Sequence, residues 1–105
     1  MITEFTHDRA RLASRFFVSG RACCLGQYAK ACGHPGHTVG AAEEKLLREL
    51  IQPVLDARVY STILVGNSRL LDESYAPLRH ESEQDVIDAF AKAGITATFT
   101  GEYPT

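Results

Sequence analysis

Leu12, Phe16, Phe17, Cys23, Cys24, Gln27 and Tyr28 recur at spacings of three, four and seven, the period of one helical face. They predict a first helix over roughly residues 8–31. Its middle holds Ser19, Gly20, Ala22, Cys23, Cys24 and Gly26. Two glycines inside a helix cost roughly 1 kcal/mol each. The stripe of small residues is therefore expected to receive a closely packed helix, from the same chain or across a dimer. A loop from Cys32 to His37 leads to a second helix, from a Thr38 cap to about Ala57. Leu46, Leu47, Leu50, Ile51, Val54 and Leu55 form its apolar face. Glu43 and Glu44 favour its positive end. Pro53 has no amide hydrogen and is expected to kink or break this helix near residues 49–52. The two helices fit an αα-hairpin.

The pattern then changes period. Val59 to Val65 is rich in β-branched residues and apolar on both sides, as in a buried central strand. Gly66-Asn67 is a hairpin signal, so Ser68 to Leu71 is expected to return antiparallel. Pro77 bars a central strand from the next stretch. Ser82 is placed to cap a third helix, with Asp85 as a short substitute for the capping-box carboxylate. Val86, Ile87, Phe90 and Ala93 make its buried stripe, and Gly94 ends it. From Ile95 to Thr100 apolar and polar residues alternate, with Ile95, Ala97 and Phe99 inward and the threonines outward. The expected fold is α+β: an N-terminal helical hairpin followed by β-β-α-β, with helices on one face of a small, mixed, three-stranded sheet.

Composition narrows the class. At 105 residues, 45% hydrophobic and 23% charged, the chain suits one domain, residues 1–105, with one core. No stretch reaches the roughly 18 apolar residues of a membrane span, and the first residues lack the basic start and apolar run of a signal peptide. Three cysteines, two of them adjacent, do not make a secreted disulfide framework. Reduced thiols in the cytoplasm are expected. The net charge of −2 argues against a nucleic-acid or membrane surface. Charge is uneven, however. Residues 1–35 carry +3 and residues 58–105 carry −3. On a helix the early arginines would be scattered: Arg11 and Arg15 share a face, while Arg9 and Arg21 point elsewhere.

The densest polar chemistry lies in Cys23, Cys24, Cys32, His34 and His37. Zinc takes four thiolate or imidazole ligands in a tetrahedron. Cys32, His34 and His37 offer three, and Cys23 or Cys24 would supply the fourth. The spacing is not that of a zinc finger, and buried cysteines commonly serve as small core residues. Gly33, Gly36 and Gly40 around the two histidines, just before a helix, also suit an anion. Cys32 beside either histidine could form a nucleophile pair. No convergent catalytic set stands out. The sequence favours a small non-enzymatic domain that binds another protein as a regulator, adaptor or inhibitor, with a homodimer as one form, and needs no cofactor. The alternative is a metal- or anion-binding domain, or an enzyme, centred on the Cys32–His37 loop.

Overall fold

The computed structural model describes residues 2–13, 16–56 and 83–103. A strand, not a helix, opens the chain. β1, Glu4–Asp8, alternates with Phe5 and His7 inward. Its partner is β2, Thr96–Thr100. The two run parallel, with Phe5 opposite Ala97 and His7 opposite Phe99. The outward Thr6 and Thr98 hydroxyls meet at 2.9 Å on the exposed face. The described residues thus form one two-stranded parallel sheet. This corrects the expected three-stranded mixed sheet preceded by a helical hairpin. The reason is physical: a parallel pair whose strands lie some 90 residues apart leaves no hairpin turn in the sequence to announce it. The predicted strands at 59–65 and 68–71, and their turn, lie outside the described residues.

The first helix is also shorter than expected. After β1 a 3-10 turn, Arg9–Arg11, takes an Asp8 side-chain cap. α1 covers only Cys24–Ala31. The break lies at Ser19 and Gly20, whose φ angles are 44° and 79°. Consecutive positive φ values with mutual Val18–Arg21 backbone bonds of 2.8 Å make a tight two-residue turn. Gly26 does serve close approach, but to a carbonyl rather than a helix: a Cβ there would lie 2.1 Å from the Phe16 oxygen.

α2, Ala41–Asp56, runs unbroken through Pro53 and buries Leu47, Ile51, Val54 and Leu55. It begins three residues after Thr38, so Thr38 is not its cap. α3, Glu83–Lys92, buries Val86, Ala89 and Phe90. Gly33 and Gly94, both at positive φ, end α1 and α3. At each, the next amide reaches back five residues, His34 to Ala29 and Ile95 to Phe90. This closing pattern satisfies carbonyls that the last turn would otherwise leave open. The helices pack around Phe90, Leu47 and Ile51, all fully buried, and α1 and α3 contact the sheet through β1 and β2. No helix among the described residues is long and apolar enough to cross a membrane.

Candidate functional site

His34 is held in place by the end of α1. It lies 4% exposed, its ring stacked on Phe17 with centroids 5.1 Å apart. The Gly36 amide donates to its Nδ1 at 3.0 Å. Nε2 must therefore carry the proton, and it donates to the Glu43 carbonyl at 2.8 Å. Both nitrogens are thus engaged, and a metal could take either only by breaking a bond that holds the loop. His37 is exposed, and its Nδ1 accepts weakly from Val39 at 3.4 Å. Cys32, partly exposed, ends α1. It bonds the Tyr28 side chain, whose phenol is pushed up to about 12, first by burial and then by that bond. Cys23 and Cys24 are buried in the core. The fold therefore separates the predicted ligands. Among the described residues no group of three or more histidines, cysteines or carboxylates is placed to hold a metal ion.

The helix N-terminus suggested for an anion is also occupied, since the Glu43 carboxylate folds back against Gly40. The open chemistry lies beside it. A cleft of about 260 Å³ runs between the 18–21 turn and the 36–39 loop. Arg21, Lys30 and His37 line it, together with Ser19, Thr38 and the aromatic Phe17. No carboxylate is among the described residues that line it. Local structure explains each position. The tight turn brings Arg21 back beside Val18. The Lys30 stem lies along Gly36, which has room for it because it has no side chain. Neither Arg21 nor Lys30 has a carboxylate partner among the described residues.

Sequence reasoning placed Arg21 on one continuous helix over residues 8–31, pointing away from Arg11 and Arg15, and so missed its convergence with Lys30. Ser19-Gly20 is a turn dipeptide and was the signal that could have found it. His7 was missed as well. It is fully buried among Phe5, Phe90 and Phe99, at 4.6–5.1 Å between ring centroids. Nδ1 donates to the Thr98 carbonyl at 3.2 Å, while Nε2 has no hydrogen-bond partner among the described residues. Burial lowers its pKa from 6.5 to about 4, against smaller raising effects from the Thr98 and Cys24 backbones and the Glu83 charge. Its full burial and its bond to the Thr98 carbonyl make it a core residue tying β1 to β2. Comparison with known proteins finds no matching family model, curated protein or solved structure.

Proposed function

We propose that this chain is a small non-enzymatic domain that binds another protein, and that the cleft between the 18–21 turn and the 36–39 loop receives an acidic segment of that partner. The observation that carries this is the pairing of two cations, Arg21 and Lys30, with no carboxylate among the described residues of the lining. Cations left without neutralising partners around a concave surface attract anionic groups and steer their approach. Size supports a side chain over a substrate: about 260 Å³ falls below the roughly 300–1,000 Å³ of small-molecule sites. No disulfide joins Cys23, Cys24 and Cys32, which fits a reducing, cytoplasmic setting.

The test uses a capped glycine–glutamate peptide as the acidic probe, titrated into the whole chain by NMR. Binding should weaken as salt rises and should be lost when Arg21→Glu and Lys30→Glu are combined. Affinity indifferent to both salt and charge reversal would overturn the proposal. Amide dispersion in the same spectra shows whether the variant remains folded.

A further inference from the structure

We infer that the partner segment presents two anionic side chains on one face, the second held in an adjoining cleft by Arg11, with Lys30 between them. This rests on the first cleft being the contact surface. A second concavity of about 230 Å³ is lined by Thr6, Arg11, Gln27 and Lys30, among others. Gly20 and Lys30 line both clefts, so the two share a wall. Each has its own arginine, and the shared lysine, a point charge on a flexible stem, can serve either side.

Among the described residues Arg11 is not fully used. Its Nε contacts Asp8 Oδ2 at 3.2 Å, and its side chain remains 69% exposed, so its terminal nitrogens can still donate. The second cleft, like the first, has no carboxylate among the described residues of its lining. Three cations thus surround two side-chain-sized concavities. Gln27 cannot turn away to make an acceptor-rich surface there. Its amide is held by the Asp8 amide at 2.8 Å and by the Asp8 and Ala22 carbonyls at 3.1 and 3.2 Å. In an extended segment, residues i and i+2 point to the same face roughly 7 Å apart. Two acidic side chains separated by one residue therefore suit neighbouring concavities, whereas two in succession point to opposite faces.

Three capped peptides test this against the whole chain by NMR titration: one glutamate, two glutamates separated by a glycine, and two adjacent glutamates. The separated pair should bind about tenfold more tightly than the single glutamate, the return of one added charge-assisted hydrogen bond. The adjacent pair should gain much less. Arg11→Ala, and Arg11→Gln as a variant that keeps the stem, should erase the gain while leaving the single-glutamate affinity unchanged. A separated pair that binds no better than one glutamate, or a gain that survives both Arg11 variants, overturns the inference while leaving the first cleft intact. If no peptide responds to Arg21→Ala, the underlying reading fails instead.

Discussion

At the scale of single residues, two positions set conditions on the whole fold. Gly26 is required by contact rather than by conformation, because the Phe16 carbonyl sits where a Cβ would be. Gly26→Ala should therefore force α1 away from that carbonyl and cost roughly 1–3 kcal/mol, the range for overpacking. Chemical denaturation checks this, and a loss below about 0.5 kcal/mol would show that the contact yields freely. His7 acts through its proton. Its pKa falls from 6.5 when unfolded to about 4 in the fold. Above 6.5 both states are neutral and the stability is fully present. As pH falls from 6.5 to about 4 the unfolded chain takes up a proton that the folded chain refuses, so stability declines. The loss reaches about 3 kcal/mol at most. His7→Phe should flatten the stability profile in that window. An unchanged slope would place the acid sensitivity elsewhere.

At the scale of elements, the ends of β1, α3 and β2 are joined by one polar knot. Arg9 holds both carboxylate oxygens of Glu83 at 2.8 Å and donates to the Gly101 carbonyl at 3.0 Å. Tyr103 donates to the same carboxylate. The Arg9 and Tyr103 hydrogen bonds, in that order, lower the Glu83 pKa from 4.5 to about 2. The stabilisation is present above 4.5 and is lost as pH falls toward 2, mostly below the range in which His7 acts. The pair is partly exposed, at 28% and 27%, so its main effect is to orient the start of α3 rather than to add much stability. Following the Glu83 carboxyl carbon by NMR should give a midpoint near 2 in the native chain. In Arg9→Met it should return toward the ordinary carboxylate range. A midpoint that does not move would assign the shift to Tyr103 alone.

At the scale of the molecule, what could be read from the sequence followed the distance over which each signal acts. α3, Gly94 and β2 stand where their periodicities place them, because caps, stripes and alternation are written within a dozen residues. β1 was not legible, since its pairing with β2 spans almost the whole chain and Glu4 to Asp8 is too short to assert a period alone. The Pro53 interruption did not occur; the helix accommodates it at an exposed position. The cationic clefts depended on the largest misreading. Residues 12–28 carry helical spacing, yet Ser19 and Gly20 at positive φ turn the chain and gather Arg11, Arg21 and Lys30, which a helix would have dispersed. His37 and Gly36 belonged to the predicted loop and do line the first cleft. Cys23, Cys24, Cys32 and His34 instead serve the core and the end of α1.

The most direct measurement of the central claim is a residue-by-residue map of where an acidic peptide touches the chain, from amide shifts in a titration at low salt. The account predicts that the shifts concentrate at residues 18–21, at Lys30 and at 36–39, and disappear when Arg21→Glu and Lys30→Glu are combined in a folded variant. Shifts centred elsewhere, on α3 or the outer sheet face for example, or a map unaltered by the charge reversal, would contradict it.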